Sequence, residues 1–405
     1  MQTICKHLLA LGLLLSSAVA LGQTFEQGGI TYNTRPDGSA EVTLGEGFYR
    51  GAIEIPATAG GKTVAALGHG AMNGSHGLRT LVLPATLTAL GDYALNGCDS
   101  LTAVNLPAGL TRIGDHALAR CELLKGTLAV PEGVAEIGDF AFFRCRTLQG
   151  ITLPASVTDI GTRAFMGCNQ LRAITVAEGN AAFADDAGVL LSADRKNLLA
   201  FPRKQTNWRD YVVPATVEHI AEYAFYGCDA MKTITFPSRL TTIGISAMEN
   251  CRLIGSVTLP PTITAIGANA FKGCDGLKDI HCQTGTPPAL NPFRTPFGYL
   301  TDLSAKTLYV PIGSATAYAA APVWADFGTI VEEEGSSVGN LAVAPVRVAV
   351  EDRTITVMGT DSHSEISLIG IDGRVLARGT NAFTVDNAGV YIIRVNSRTF
   401  KVLIK

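Results

Sequence analysis

Cysteine is the reactive residue that this sequence repeats. Nine of the 405 residues are cysteines, and seven of them stand fourteen residues after a proline: Cys98, Cys121, Cys145, Cys168, Cys228, Cys251 and Cys274. Such thiols could pair between stacked units, because stacked strands lie about 5 Å apart and disulfide Cα separations overlap that spacing. They could equally form a ladder of buried thiols that act as small apolar side chains. The eighth, Cys282, occupies a predicted core position in a strand.

The spacing of the cysteines and histidines does not indicate a metal site or an enzyme active site. The cysteines of each run are 23 or 24 residues apart, without a C-x-x-C motif or paired histidines, so we predict no metal site and no cofactor. The histidines are scattered and are interpreted as solvated surface residues: His69, His76, His116, His219 and His281. An enzyme needs a nucleophile, a base or metal ligands that converge. The sequence therefore predicts a protein that is not an enzyme.

The element that positions these cysteines is a repeat of about 23 residues, exemplified by LPASVTDIGTRAFMGC at 153–168. Seven residues after the repeat proline, six of the seven copies have glycine, and the exception has Ala221. In the copy at 101–124, Leu101, Val104 and Leu106 predict a short strand, which Pro107 ends. A helical or irregular turn then leads back. A fixed short period of this kind predicts a solenoid whose units pack only on their neighbours.

Two groups of residues are candidates for ligand binding. A solvent-facing column of the strands contains Thr152, Thr175, Thr235 and Thr258. This column could be a flat strip for an extended peptide or glycan, or it could reflect only the preference of threonine for strands. An irregular stretch between two repeats contains Trp208, Arg209 and Tyr211. Aromatic and arginine residues are common interface anchors, but these three could equally pack a cap-like loop.

The repeat resembles the BspA-like, or treponemal-type, leucine-rich repeats. Ala141-Phe142, Ala164-Phe165, Ala224-Phe225 and Ala270-Phe271 retain the Ala-Phe pair of that family. The resemblance implies a right-handed solenoid over residues 23–331, with an N-terminal β cap and a helical C-terminal cap through 315–321. The repeat columns further predict about ten coils with a shared core, so that Leu153→Asp or Phe165→Asp would unfold several of them.

The two ends of the chain indicate export. Lys6 and His7 precede a short apolar run, which predicts a signal peptide at 1–22 and no transmembrane segment. Residues 332–345 are predicted to be a linker, and the alternating pattern of 346–405 predicts a small antiparallel β-sandwich. That region resembles the type A sorting domain of type IX secretion, found in Bacteroidetes, through Asp372, Gly373, Arg374, Gly389, Val390, Tyr391, Lys401 and Lys405. The resemblance implies the type IX machinery as a partner and passage through the periplasm.

The predicted function is that of a secreted or cell-surface binding protein. The family resemblance implies an adhesin whose ligands are proteins of host matrix, epithelium or other bacteria. The net charge of −3 gives no reason to expect nucleic acid as a partner. Two alternatives are a structural surface-layer or scaffold protein and a glycan-binding accessory protein.

Overall fold

The computed structural model describes residues 23–205, 209–298, 301–334, 347–351, 353–358, 366–379, 381–395 and 398–404. The predicted signal peptide, Trp208 and Lys405 lie outside these residues, as does most of the predicted linker. The repeats stack into a solenoid of about 13 turns, more than the ten coils predicted. Its first turn and its last two carry strands but not the complete motif, so the sequence alone undercounts them.

One side of the solenoid, the long-strand face, consists of the strands that precede the repeat prolines. They stack in parallel as four successive sheets: β4 (Arg50–Glu54), β7 (Gly77–Val82), β9 (Ala103–Val104), β11 (Gly126–Ala129), β13 (Leu148–Leu153), β15 (Ala173–Val176), β19 (Asp210–Val212), β21 (Thr233–Thr235), β23 (Ser256–Leu259), β25 (Asp279–Cys282), β26 (Thr307–Pro311) and β27 (Thr329–Glu333). The alternate apolar residues of these strands face the core, as the sequence pattern predicts.

A second side, the short-strand face, consists of short strands, most of which directly precede the repeat glycine. Its strands also stack in parallel: β6 (Lys62–Leu67), β8 (Ala89–Leu90), β10 (Arg112–Ile113), β12 (Glu136–Ile137), β14 (Asp159–Ile160), β18 (Asn197–Ala200), β20 (His219–Ile220), β22 (Thr242–Ile243) and β24 (Ala265–Ile266). The last residue of each two-residue strand points into the core between the two faces.

The third side, the turn side, carries the return of the chain after the repeat glycine. These returns are turns, not helices, so the irregular form of the two predicted alternatives is the one observed. The backbone N–H groups of Tyr93, Leu95 and Gly97 donate to carbonyl oxygens of the next turn. Tyr93 and its equivalents adopt left-handed backbone angles, with φ of 58° at Tyr93 and 54° at Phe140. Neighbouring turns are thereby joined by a regular ladder of three hydrogen bonds.

Close approach of successive turns explains the repeat glycine. A Cβ on Gly138 would lie 2.5 Å from the backbone nitrogen of Asp115, and a Cβ on Gly161 would lie 2.3 Å from that of Asp139. Real Cβ atoms do not approach backbone atoms so closely, and glycine alone removes the conflict. The glycine column is therefore a requirement of stacking rather than of an unusual φ angle.

The cysteine column forms a ladder of buried free thiols. All eight described cysteines are unpaired and buried. Six of them donate to a main-chain carbonyl of the preceding coil at 3.1–3.3 Å: Cys98, Cys121, Cys145, Cys168, Cys251 and Cys274. Of the two alternatives left open by the sequence, the thiol ladder is thus the one observed, and each of these six thiols also donates to a buried acceptor.

Burial of these thiols predicts a pH-dependent stability. Desolvation raises the pKa of Cys98, Cys168 and Cys274 from the ordinary value of 9.0 to about 12. The folded chain keeps these protons when the unfolded chain has lost them, so their stabilisation is complete below about pH 9 and declines above it. We expect a loss of about 1.4 kcal/mol per pH unit for each such thiol in chemical denaturation. Labelling of any of the eight thiols by a soluble maleimide at pH 8, without denaturant, would contradict this arrangement.

An antiparallel meander covers the N-terminal end of the repeat array, and two short helices lie near its C-terminal end. At the N-terminus, β1 (Thr24–Gln27), β2 (Ile30–Thr34) and β3 (Ala40–Val42) form a meander that leads into β6, while β5 (Thr58–Ala59) pairs with β6. Near the other end, helix α1 spans Ala315–Ala320, inside the segment predicted as a helical cap, and a 3-10 helix spans Trp324–Asp326. Trp324 is fully buried and donates from its indole N–H to the Pro288 carbonyl at 2.8 Å.

An inserted hairpin interrupts the array in its middle. Strands β16 (Phe183–Asp186) and β17 (Val189–Ser192) form the hairpin, and β17 pairs with β18. The buried residues of the solenoid divide into two clusters at this point, with Leu190 in the first and Val189 and Leu191 in the second. The hairpin therefore joins two stacks of coils that do not share one continuous core.

The C-terminal region forms two sets of strands around a third buried cluster. One set is β28 (Arg347–Glu351), β29 (Thr354–Met358) and β32 (Ala382–Thr384), and the other is β30 (Ile366–Gly370), β31 (Val375–Arg378), β33 (Gly389–Val395) and β34 (Arg398–Ile404). β34 pairs antiparallel with β27, so the long-strand face continues into this region. The predicted linker is corrected at its start, because Glu332 and Glu333 belong to β27.

This junction predicts the effect of removing the C-terminal region. Tyr309 and Val331 of the solenoid lie in the third cluster, and the Lys401 ammonium lies 3.5 Å from the buried Glu332 carboxylate. Deletion of residues 335–405 leaves β27 as an unpaired edge and exposes both apolar side chains. We expect a loss of about 3 kcal/mol in the last coils and self-association through the edge. Light scattering that shows a monomer, with an unchanged melting temperature, would contradict the expectation.

Candidate binding face

The threonine column predicted from the sequence is a real column of the long-strand face. Thr152 pairs in register with Thr175, and their hydroxyl oxygens are 3.3 Å apart. Thr235 lies opposite Val212, and Thr258 lies opposite His281. Thr175, Thr235 and Thr258 are exposed, whereas Thr152 is half-buried. The four threonines are divided among three sheets, because the inserted hairpin and the following turns interrupt strand pairing.

Small side chains dominate the face around this column. Val82 and Val212, in the same column, are 50% and 67% exposed. The neighbouring outward column, two residues earlier in each strand, contains mainly threonine, alanine, serine and glycine: Thr80, Ala103, Thr127, Gly150, Ala173, Thr233 and Ser256. Asp210 adds a carboxylate there, which accepts a hydrogen bond from the Thr233 hydroxyl at 2.7 Å. Between residues 80 and 175 the two columns are uncharged.

The far end of the face is closed by packing. The His281 ring stacks on Tyr309 at 4.3 Å, and its Nδ1 lies 2.7 Å from a Glu333 carboxylate oxygen. Tyr309 is buried, and its hydroxyl donates to the Val348 carbonyl of the C-terminal region. His281 is thus held by neighbours rather than solvated, unlike the sequence interpretation. The open part of the long-strand face therefore ends before β26.

The structure gives a packing role to one member of the irregular coil. Tyr211 is half-buried, and its ring contacts Phe201 and Phe225 with centroids 4.7 and 5.9 Å away. Its hydroxyl is buried, which raises its pKa above the usual range. Arg209 is exposed, and its carbonyl accepts two N–H groups from Lys232 and Thr233. Tyr211 is therefore a packed ring and not an exposed aromatic platform, and Trp208 lies outside the described residues.

The predicted sorting residues occupy ordinary strand and turn positions. Asp372, Gly373 and Arg374 form the turn after β30, where the Asp372 carboxylate accepts the Arg374 N–H at 3.0 Å. Gly373 has φ of 81°, a conformation that favours glycine. Gly389, Val390 and Tyr391 begin β33, and Lys401 reaches Glu332 of the solenoid. These positions explain the local fold, and Lys405 lies outside the described part of the chain.

Two ladders on the turn side were missed by the sequence reading. Aromatic rings two residues after the repeat glycine stack between coils: Tyr93 on His116 at 4.6 Å, and His116 on Phe140 at 4.7 Å. One residue earlier, the Asp92 carboxylate accepts the Asp115 N–H, and the Asp115 carboxylate accepts that of Asp139. Both ladders correspond to columns of the repeat sequence, but the residue type in these columns is not the same in every coil. His116 is therefore a stacked ring, not the solvated residue that the sequence predicts.

Two further observations bear on chemistry and membranes. Over the described residues, no group of three or more His, Cys, Asp or Glu side chains is placed to hold a metal ion. None of the helices among those residues has the length and apolar character needed to span a bilayer.

Comparison with known proteins identifies relatives of the repeat region. A family model described as the BspA type leucine rich repeat region matches six copies, at residues 45–172 and 200–287. The pneumococcal vaccine antigen PcpA is 17% identical at a TM-score of 0.50, over 76% of this chain and 97% of that chain. A leucine-rich repeat protein of Eubacterium ventriosum is 20% identical at a TM-score of 0.50, over 79% and 97% of the two chains. A leucine rich cell surface protein of Faecalibacterium prausnitzii is 23% identical, over 74% and 97%, at a TM-score of 0.44. No curated protein matches the chain.

Proposed function

Because the chain belongs to the family of BspA-type leucine-rich repeat proteins, we propose that it is a non-enzymatic binding protein of the cell surface or the secreted fraction. The solenoid binds protein ligands, and the long-strand face is the surface that contacts them. The ligand classes that we propose are proteins of host matrix, of epithelium and of other bacteria. In this role the protein is an adhesin.

The single observation that supports this function is the shape of the long-strand face. Its two outward columns present small side chains in register over successive strands, from Thr80 to Thr175 and again from Thr233 to Thr258. A flat, weakly charged surface suits a large partner, because shape complementarity can then extend over many residues. Small ligands instead favour concave sites. The exposed Val82 and Val212 supply apolar contacts at two positions along the face.

We propose that export depends on both ends of the chain. Residues 1–22 act as the signal peptide, and residues 346–405 form a β-sandwich that type IX machinery recognises on passage through the periplasm. The arrangement of two strand sets around one buried cluster supports the sandwich assignment. The packing of Tyr211 weakens the alternative of a glycan-binding protein, because its half-buried ring contacts Phe201 and Phe225.

The experiment that tests the proposed function is saturable binding of residues 23–405 to a panel of matrix proteins, mucins and bacterial surface extracts. A double variant, Thr175→Arg with Thr235→Arg, places two long cations on the face and should abolish binding to any ligand found. Ala135→Arg adds the same cation at an exposed position of the short-strand side and should leave binding intact. Equal binding by both variants would exclude the long-strand face, and uniformly absent binding would favour the scaffold alternative.

A further inference from the structure

A cleft of about 260 Å³ opens on the turn side where the inserted hairpin separates the two stacks of coils. One wall is the turn at 161–168, and the other is the turn at 221–226. In regular coils these turns would be joined by the ladder of three hydrogen bonds. Here 60 residues separate the equivalent positions Arg163 and Tyr223, and the hairpin coil supplies no turn of its own between them.

The cleft lies where the glycine column of the repeat has its one exception, Ala221. Six copies need glycine because the preceding turn lies within contact of a Cβ, as at Gly244, where the Cβ would be 2.6 Å from the Glu222 nitrogen. The seventh copy has Ala221, and Ala221 lines the cleft. Its methyl group is tolerated because the turn that would obstruct it is missing. The only exception in the column therefore coincides with the boundary between two full repeats at which, along the described coils, the whole ladder is missing, whereas the last full repeat still makes two of the three bonds, from Asn269 and Phe271.

The missing turn leaves hydrogen-bond donors on one wall. In the preceding coil the N–H groups of Phe140, Phe142 and Arg144 donate to the carbonyls of Thr162, Ala164 and Met166. The equivalent N–H groups of Arg163, Phe165 and Gly167 have no acceptor among the described residues. On the other wall, the Glu222 and Tyr226 carbonyls likewise accept from none of those residues, while the Ala224 carbonyl accepts the Phe201 N–H at 2.8 Å.

The side chain of Arg163, on the same wall, adds a positive charge to these N–H donors. The Arg163 guanidinium carbon lies 4.1 Å from the centre of the Tyr223 ring and 5.2 Å from that of Phe140, and one of its terminal nitrogens donates to the Tyr223 hydroxyl. Its Nε is buried and has no hydrogen-bond partner within the described chain. No carboxylate of the described residues forms an ion pair with Arg163, whereas Arg203, on the same cleft, is paired with Asp229 at 3.6 Å. Glu222 also lines the cleft, but it is exposed.

The floor of the cleft is apolar. It is lined by Phe165, Ile174, Leu190, Leu199 and Phe201. Phe165 is only half-buried, although Phe142 in the preceding coil is fully buried. An aromatic or branched aliphatic group matches this floor.

We propose that this cleft binds a carboxylate that carries a compact apolar group. The carboxylate oxygens accept hydrogen bonds from the free N–H groups and from Arg163, as charge-assisted pairs, and the apolar group covers Phe165 and Phe201. Such a carboxylate has two sources, a free small organic acid and the C-terminal residue of a peptide. This site is separate from the long-strand face, so its presence or absence leaves the proposed adhesive function unchanged.

The test is calorimetric titration of residues 23–405 with phenylacetate, with N-acetylphenylalanine and with phenylacetamide. We expect a Kd on the order of 0.1–1 mM for the acids and at least about tenfold weaker binding of the amide, which lacks the charge. Tighter binding of N-acetylphenylalanine than of phenylacetate identifies a peptide C-terminus as the source, and the reverse identifies a free acid. Equal binding of acid and amide, or no saturable binding by either acid, would overturn the proposal.

Variants separate this cleft from other surfaces. Arg163→Gln should weaken phenylacetate binding at least about tenfold, and Ala221→Leu should abolish it by filling the cleft. The matched control is Arg144→Gln, because Arg144 is exposed over the Phe143 ring one coil away and should not affect binding. If Arg163→Gln fails to fold, the folded Ala221→Leu variant tests the proposal by itself, since Ala221 lines the cleft. Unchanged affinity in folded Ala221→Leu would place the ligand elsewhere.

Discussion

Replacement of Gly138 by alanine is expected to lower the free energy of unfolding by about 4 kcal/mol. The added Cβ would lie 2.4 Å from an Asp115 carboxylate oxygen, 2.5 Å from the Asp115 nitrogen and 2.7 Å from the Gly114 carbonyl carbon. Main-chain atoms of a packed coil cannot give way as a flexible side chain can. Relief of the contact must therefore separate two coils, which breaks the Gly138 N–H bond to the Ile113 carbonyl and the Asp115 carboxylate bond to the Asp139 N–H.

The matched control is Ala221→Gly in the same column. The coil before Ala221 accepts its N–H at the Leu198 carbonyl but continues as strand β18 instead of turning back, so we expect that removing the methyl group at the cleft relieves no close contact. We expect a loss of no more than about 1 kcal/mol, the usual cost of the added chain freedom of glycine. Urea denaturation of both variants, followed by circular dichroism, measures the two changes. A Gly138→Ala variant as stable as Ala221→Gly would show that the coils can separate without cost.

The period of the repeat predicts most of the fold because each column has one physical task. Proline ends the strand, glycine permits close stacking, and cysteine fills the core while donating to a carbonyl. These tasks depend on the immediate neighbours along the solenoid, and a regular sequence specifies them repeatedly. The number of turns was underestimated where the motif is incomplete, as at β26 and β27, because strand pairing there is retained without the repeat residues.

The cleft could not be predicted from the sequence, although its marker was visible there. Ala221 appears as a single departure from a glycine column, and the column alone does not reveal why glycine is required. That reason is a distance between two coils, and it depends on the path of the inserted hairpin. The same holds for Tyr211 and Trp208, whose residue types fit both an interface and a packed loop. For Tyr211 the contact with Phe201 makes packing the better interpretation.

The interface between the solenoid and the C-terminal region was also outside the reach of sequence patterns. Alternation predicts strands in 346–405 and in β27, but pairing between distant strands has no local signature. The pairing of Val331 with Val402 joins them into one sheet. Residues placed by the sequence in a flexible linker, Glu332 and Glu333, are instead held by the Ala315 N–H and by His281.

Aspartate at Phe142 and at Phe165 is expected to have different effects, although the repeat assigns both residues to one core column. Phe142 is fully enclosed, and a carboxylate there has no water and no cation to offset its burial, so Phe142→Asp should cost about 5 kcal/mol and unfold the adjoining coils. Phe165 is half-buried and faces the cleft.

The carboxylate introduced by Phe165→Asp reaches solvent through the cleft, so it is hydrated. It also lies in the same turn as Arg163, whose positive charge, unpaired among the described residues, further offsets the loss of apolar contact. The repeat column alone predicts that Phe165→Asp unfolds several coils; because Phe165 faces the cleft, we instead expect a cost of about 2 kcal/mol, with the native circular dichroism spectrum retained. Thermal unfolding and hydrogen exchange of the two variants distinguish the outcomes. Equal destabilisation would mean that the column is uniform and that the coils close over Phe165 in solution, and a closed cleft would have no room for a ligand. The stability of this one variant therefore bears directly on whether the break in the solenoid is a binding site.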